Sequence, residues 1–350
     1  MPCACHNINL VIKDGFETCS EFEALIKKVC KNVVNKSKFS ILIAEELRNI
    51  GKKFCKRCIT RWNSNLFVAR AVLKVTPQEF KTIKGNMPTR TPQQRETKKN
   101  FDITSEERAM LVELVSVLEL FEWVSDELQG NQVTISRVYP CILYLQSELT
   151  NNFEKLKYTK DLRLALLDSL NRRFLPLISS DNVYIISTFL DPRFGLDAFP
   201  VEIKEKVRKC IRKLIILPET YIIAKEKEHP KERDRSDKYN KYITITQEED
   251  SPPSQKDSKD ILIDSYLYAL KLNNNAVKKI SCALEFWKQN EQNFLPLAEL
   301  AKKYLSVPAS SACVERMFSI AGHIFSLKRR RLGIQVFSDL VWLKLNEMFY

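Results

Sequence analysis

Glycine is scarce in this sequence, which has 7 glycines among 350 residues. Tight hairpins and phosphate-binding loops need backbone positions with positive φ, which glycine supplies without steric cost, so few such features are expected. Neither GxGxxG nor GxxxxGKS/T occurs. Their absence excludes a Rossmann dinucleotide fold and a P-loop nucleotide site.

Long apolar runs are also missing, since no stretch approaches the roughly 18 apolar residues that a membrane span needs. The N-terminal residues lack the basic and apolar regions of a secretory signal peptide. The 10 cysteines are spread irregularly along the chain, as reduced thiols are, and do not suggest a disulfide framework. We therefore expect no membrane partner and a reducing cellular compartment.

Positive charge is in excess, with 56 Lys and Arg against 43 Asp and Glu and a formal net charge of +13. Such an excess favours a polyanionic partner, with nucleic acid ahead of a membrane surface. A compact basic run at Lys328–Arg331 reads either as a nuclear-import signal or as a solvated loop between two helices. A nuclear location is expected.

Apolar residues recur at helical spacing along most of the chain, which predicts a mainly α fold. An amphipathic helical pattern starts at Leu111, further periodic segments cover 136–157 and 160–174, and the best-defined helical patterns lie in the last ninety residues. Residues 84–100 are rich in Lys, Arg, Thr and Pro and are predicted to form an exposed connection. Residues 225–259 carry too little apolar surface to order themselves, so a flexible charged linker is predicted there.

Three short amphipathic helices are predicted near the C-terminus. Their apolar stripes begin at Leu297, Val314 and Phe337, and Pro308 ends the first of them. Such helices, with few polar intrusions, need an apolar surface to pack against, in this chain or in a partner.

One long motif within this region is informative. The segment 294–322, FLPLAELAKKYLSVPASSACVERMFSIAG, resembles the C-terminal dimerisation region of hAT-superfamily transposases. Three further landmarks stand in that family's order: Cys3-x-x-His6, the TRWNS segment at 60–64 and the FLDPRF segment at 189–194. The resemblance spans essentially the whole chain and is nearest to the BED-finger-associated branch.

The resemblance implies a domain organisation. It gives an N-terminal remnant with the CxxH and RW motifs at 1–98 and a helical insertion domain at 99–224. The flexible charged linker at 225–259 and a dimerisation region at 260–350 follow. The fold class expected is mainly α, with the insertion domain and C-terminal helices of an incomplete RNase H-like transposase core.

The family cuts DNA with two Asp and one Glu that hold Mg²⁺ or Mn²⁺, because two metal ions at a scissile phosphate need several converging oxygen ligands. By resemblance the Glu is Glu315, although an acid in the first turn of a helix is also favoured by the helix dipole alone. The family's two Asp precede the Cys-x-x-His motif, where this sequence has only Met1 and Pro2, and Asp14 follows the motif. We therefore expect Glu315 to be vestigial, with no cofactor and no enzyme activity.

Arg61 and Trp62 are candidate DNA-binding residues, together with Lys56 and Arg57. In the family the Trp stacks on a displaced base and the Arg contacts the backbone; base stacking on an aromatic side chain is worth about 1–3 kcal/mol. The alternative is a half-buried Trp at a helix start with lysines on a solvated face.

Cys3 and His6 are expected to be a structural motif rather than metal ligands. A second pair, Cys55-x-x-Cys58, could complete four zinc ligands, but the separation exceeds ordinary finger spacing and the family motif lacks that pair. Ordinary thiols are favoured over zinc.

The sequence thus predicts a transposon-derived protein without catalytic activity that dimerises through its C-terminal helices, with itself or with a related hAT protein, and retains some DNA binding. The residues predicted for dimerisation are Pro308, Ser310, Ser311, Arg316, Phe318, Leu340, Trp342 and Leu343. The alternative is a sequence-independent DNA-binding protein, or a partial gene product of a once-active DNA transposase.

Overall fold

The computed structural model describes residues 3–55, 57–58, 61–151, 156–178, 183–217, 257–272, 279–280, 282–325 and 332–346. All regular secondary structure in these ranges is helical, which confirms the mainly α prediction. The chain forms two compact units, Met1–Ser179 with Pro308–Tyr350, and Ser180–Val307. The four domain ranges predicted from the sequence stay predictions.

The first unit contains most of the helices. They are α1 (Ala4–Thr18), α2 (Ser20–Val29), α3 (Asn35–Phe39), α4 (Ile41–Asn49), α5 (Asn63–Leu73), α6 (Pro77–Asn86), α7 (Pro92–Asn100), α8 (Ser105–Leu128), α9 (Val138–Thr150) and α10 (Lys160–Phe174). One π-helical turn, Cys30–Val34, joins α2 to α3.

The second unit contains five helices in the described ranges, and the chain then returns to the first unit. The five are α11 (Val183–Leu190), α12 (Val201–Leu214), α13 (Ser258–Leu272), α14 (Ala283–Asn290) and α15 (Leu295–Leu305). The two C-terminal helices, α16 (Ala312–Ile324) and α17 (Ile334–Leu345), belong to the first unit. Most of the predicted linker, residues 225–256, lies outside the described residues.

Helix α8 is where the sequence predicted it, and the periodic residues Leu111, Leu114, Leu118 and Phe121 are fully buried. The prediction for residues 84–100 is confirmed for their exposure, since all but Met87 are exposed or partly exposed, but it is wrong about their local structure, which is largely helical. Helix α6 extends to Asn86, and α7 occupies Pro92–Asn100 without a single buried side chain.

Helices α1 and α10 approach each other closely because Gly15 has no side chain. A Cβ added there would lie 2.6 Å from Leu166 Cδ2. Next to it, Asp14 accepts hydrogen bonds from Ser169 and Arg173 of α10. Partial burial raises the pKa of Asp14, but these donors outweigh it and hold the pKa below its ordinary value. Asp14 therefore joins two helices.

Glu113 of α8 caps the start of α10. Its carboxylate accepts hydrogen bonds from the backbone N–H groups of Lys157, Tyr158 and Thr159 at 2.9–3.0 Å. The N-cap residue Thr159 makes no capping bond with its own side chain. Partial burial raises the pKa of Glu113, but the three backbone N–H donors lower it by a larger amount. The pKa of Glu113 therefore lies below its ordinary value.

Glu113→Gln is expected to lower the free energy of unfolding by about 1–2 kcal/mol at pH 7, because a neutral amide accepts these hydrogen bonds more weakly. A pKa lowered by folding adds stability above the unfolded pKa of about 4.3, and this stability is lost as the pH falls through the folded pKa. Urea unfolding at pH 7 and at about pH 3.5 should show the difference between the two proteins shrinking in acid. A difference that stays constant with pH would contradict this role of the carboxylate.

Candidate functional site

The terminal helix pair, α16 and α17, has no buried residue among those described on it. The two helices pack against each other, and the rings of Phe325 and Phe337 lie 5.9 Å apart in an edge-to-face arrangement. Large apolar side chains remain at least 39% exposed: Val314, Phe318, Phe325, Ile334, Val336, Trp342, Leu343 and Leu345. So many exposed large apolar side chains on one helix pair are uncommon on a monomer and indicate an interaction site.

The segment before α16 is anchored to the first unit. Ala309 and Ser310 are buried. Ala309 accepts a hydrogen bond from Ala4 N–H at 2.9 Å, and its own N–H donates to Thr134 Oγ1 at 3.1 Å. Ser310 Oγ donates to the carbonyl of Leu128 at 3.1 Å. These contacts fix where α16 begins.

Arg316 gives α16 a second attachment. Its guanidinium donates to the Gln129 carbonyl at 3.0 Å and to Asn131 Oδ1 at 2.9 Å. This face of α16 is thus directed at the chain's own α8–α9 connection, whereas Phe318, 67% exposed, is left uncovered.

The structure therefore separates the residues predicted for dimerisation into two sets. Phe318, Trp342 and Leu343 are exposed and Leu340 is partly exposed, as a contact surface requires. The others lie at or next to the anchor of α16: Pro308, Ser310, Ser311 and Arg316. Their role in dimerisation stays a prediction.

Glu315 lies beside the N-terminal motif. Ser311 Oγ donates to Glu315 Oε1 at 2.7 Å, and the Ser311 N–H points to Cys3 Sγ at 3.4 Å. His6, one turn into α1, is exposed. Ser311 thus contacts both Cys3 and Glu315, which are far apart in sequence. The family resemblance singled out these two residues separately.

Cys5, between Cys3 and His6 in the N-terminal motif, is a poor candidate for a metal ligand. Burial raises the pKa of the Cys5 thiol to about 11, and the negative charge of Glu315 adds to this increase. A thiolate is the form that binds metal, so Cys5 is poorly suited as a ligand. Among the described residues, no group of three His, Cys, Asp or Glu side chains is placed to hold a metal ion.

Arg57, Arg61 and Trp62, three of the four predicted DNA-binding residues, lie at or near the start of α5. Arg61 is exposed and Trp62 is partly exposed at the N-cap of α5. Arg57 donates to Asn65 Oδ1 at 2.8 Å and lies 3.8 Å from Glu23, so its charge is partly used within the protein. Lys56 lies outside the described residues.

Lys52, from the same basic segment, forms an ion pair with Glu79. The hydrogen bond from Lys52 lowers the pKa of Glu79 to about 2, which keeps this carboxylate charged and Lys52 locally neutralised. Among the described residues of this segment, Arg61 and Lys53 are exposed basic residues that take no part in this ion pair, and Arg61 directly precedes Trp62. The basic run Lys328–Arg331 also lies outside the described residues.

The anchor of α16 is what sequence reasoning missed. Thr134 and Asn131 receive α16, and no pattern in the sequence links them to residues near position 310. Ser310 and Ser311 were singled out only by the family resemblance.

Within the described part of the chain, no helix is long and apolar enough to cross a membrane.

Comparison with known proteins adds three findings. Residues 262–347 match the hAT family C-terminal dimerisation region. The chain is 21% identical over 360 residues to Zinc finger BED domain-containing protein 4 of Homo sapiens, with 99% of this chain and 29% of that protein covered. It is 23% identical over 381 residues to the Putative AC transposase of Zea mays, with 98% and 43% covered. The chain spans less than half the length of either relative.

Proposed function

We propose that this hAT transposase-like protein, whose residues 262–347 form a hAT C-terminal dimerisation region, acts by associating with a second copy of itself through the terminal helix pair. One observation carries the proposal: two packed helices without a buried residue expose large apolar side chains, Phe318 and Trp342 among them. Covering that surface supplies the driving force for association.

A second copy is the simplest partner. In a two-fold dimer the same patch serves both sides, so every apolar side chain on one copy has an apolar counterpart on the other. The patch is also held in place in advance, because Ser310 and Arg316 fix α16 to the first unit. Little ordering is then needed on binding, which favours affinity. A related hAT protein with a similar patch is the alternative partner.

We propose further that the chain does not cut DNA by itself. Glu315 is hydrogen-bonded to Ser311, and the acid nearest the family motif in sequence, Asp14, is engaged by Ser169 and Arg173. Neither arrangement favours several carboxylates converging on two metal ions. Incubation of supercoiled DNA with Mg²⁺ or Mn²⁺ tests this, and nicking that Glu315→Gln abolishes would contradict it.

DNA binding is a second candidate function, favoured by Arg61 and Trp62 at the exposed start of α5 and by the net charge of +13. Binding is expected to weaken steeply with salt, because neutralised phosphates release counterions. Trp62→Ala is expected to lower single-strand affinity by roughly 5- to 100-fold, the equivalent of about 1–3 kcal/mol of lost stacking. Fluorescence anisotropy at two salt concentrations measures both, and salt-insensitive binding would contradict the proposal.

A nuclear location is proposed because of the same net positive charge and candidate DNA-binding residues.

The native mass of the full chain, measured by light scattering at two salt concentrations, tests the main proposal. A discrete dimer at both is expected, because an apolar contact is little screened by salt. A monomer at all concentrations measured would contradict it.

A further inference from the structure

The second unit contains a cleft of about 320 Å³ between the turn that follows α11, helix α12 and helix α13. We call it the basic cleft. The residues that define its chemistry are Phe194, Lys204, Arg208, Leu267, Leu270 and Lys271. None of these residues belongs to the terminal helix pair or to the segment around Arg61, although Leu267, Leu270 and Lys271 lie within the range 262–347 that matches the dimerisation region.

The turn that forms one wall is held rigidly. The Asp191 carbonyl accepts hydrogen bonds from the N–H groups of Phe194 and Gly195, both at 2.9 Å, which closes a turn at this position. The buried Asp191 carboxylate also accepts two hydrogen bonds from the Arg193 guanidinium, at 2.6 and 2.9 Å. Gly195 has φ of +52°, and a Cβ there would lie 2.9 Å from Leu270 Cδ1. This wall is therefore pre-formed, as ligand sites usually are.

The available positive charge in the basic cleft is on two lysines. Arg193 is paired with Asp191, and Arg208 donates to Asp264 Oδ1 at 2.7 Å. Lys204 and Lys271 have no ion-pair partner among the described residues. They come from different helices, α12 and α13, and face one cavity. Two lysines that line one cleft suit a phosphate, whose oxygens can accept charge-assisted hydrogen bonds from both.

The lining also contains one exposed carboxylate, Asp197, in the turn, and the remaining wall is apolar and includes an aromatic ring. Phe194 is partly exposed, with the Arg193 guanidinium 5.8 Å from its ring centroid. Leu267 and Leu270 are also partly exposed. A bare phosphate would leave this wall in contact with water. A ligand that carries a flat, partly apolar group beside its phosphate would cover it, and a nucleobase is such a group because every base has a π-face.

We propose that the basic cleft binds a nucleoside phosphate, with the phosphate between Lys204 and Lys271 and the base against Phe194 and the two leucines. The volume lies near the lower end of the roughly 300–1,000 Å³ that small-molecule sites occupy, enough for one nucleotide. The nucleotide is either free or part of a single-stranded nucleic acid. These two sources share the same recognition chemistry.

The test is calorimetric titration of the full chain, at low salt, with ATP, inorganic pyrophosphate and a short single-stranded oligothymidine. Saturable ATP binding is expected, with pyrophosphate weaker by at least about fivefold because it has no base to stack. The double variant Lys204→Glu/Lys271→Glu is expected to lose at least about tenfold in affinity for ATP, since it reverses both phosphate-binding charges. The control is Lys206→Glu/Lys213→Glu, which makes the same change of net charge at exposed positions of α12 that do not line the cleft.

The outcomes separate the possibilities. Loss of binding in the cleft variant with retention in the control supports the site. If only the oligothymidine binds, and does so with the same dependence on Lys204 and Lys271, the nucleotide belongs to a single strand. Equal losses in both variants would mean that general positive charge explains the binding, and this overturns the proposal. It is also overturned by a wild-type chain that binds neither ATP nor oligothymidine, or that binds pyrophosphate as tightly as ATP.

Discussion

Replacing Phe318 with Asp is expected to convert the proposed dimer into monomers at micromolar concentration. The Phe318 side chain is 67% exposed on α16, and burying such a side chain at an interface is worth about 1.5–3 kcal/mol. A two-fold dimer contains this contact twice. The dissociation constant should therefore rise by roughly 100- to 10,000-fold, before the cost of burying two carboxylates is added. Light scattering over a dilution series measures it.

Trp342→Ala tests the same surface from α17. Trp342 is 55% exposed, and large aromatic residues are enriched among the few that dominate interface energies. We expect a weakened dimer that dissociates on dilution. Because no new charge is introduced, this variant separates loss of apolar contact from charge repulsion.

Ser319→Asp is the matched control for Phe318→Asp. It places the same charge on the same helix, one residue along, at an exposed position off the apolar stripe. Its dimer should remain within a few-fold of the wild-type affinity, as rim charges usually change binding little. If Phe318→Asp and Trp342→Ala both leave the dimer intact, the terminal helix pair is not the contact surface.

The helices of this fold were predictable wherever one face is buried. Helix α8 has its apolar residues at 3.6-residue spacing, and they form the core of the first unit. Apolar periodicity does not predict helix α7, because this helix has no apolar face. It is stabilised instead by Pro92 in its first turn and by a capping box in which Thr91 and Gln94 satisfy each other's backbone N–H groups. That signal, Thr-Pro-x-Gln, was present in the sequence and outweighs the loop-like composition.

The candidate site was predictable only in part, for a related reason. Periodicity marks Phe318 as part of an apolar stripe, but the same pattern is found on a buried helix. Only the three-dimensional packing shows that nothing in the described chain covers it. The contact of Cys3 with Ser311 joins residues 308 positions apart, and such pairings depend on the whole tertiary arrangement. No local pattern encodes them.

Trp287→Ala is expected to be the most destabilising single change in the second unit. Trp287 is 1% exposed and stacks on Tyr266, with ring centroids 5.2 Å apart. Its indole N–H donates to the Leu190 carbonyl at 2.7 Å, and the Tyr266 hydroxyl donates to that of Phe189 at 3.1 Å. Two buried aromatic side chains thus satisfy the last carbonyls of α11. Losing the ring leaves a cavity and an unsatisfied carbonyl, which together cost about 3–5 kcal/mol.

Trp287→Phe separates these two effects. Phenylalanine keeps most of the ring volume but removes the donor, so about 1–3 kcal/mol should be lost from the buried carbonyl alone. Trp123→Ala is the control, since Trp123 is 48% exposed and its main contact is an edge-to-face pair with Tyr144, worth about 0.5–1.5 kcal/mol. Urea unfolding at one fixed protein concentration gives all three values, because the proposed dimerisation would make stability depend on concentration. If Trp287→Ala costs no more than Trp123→Ala, α11 does not depend on this aromatic cap, and the second unit must be stabilised elsewhere.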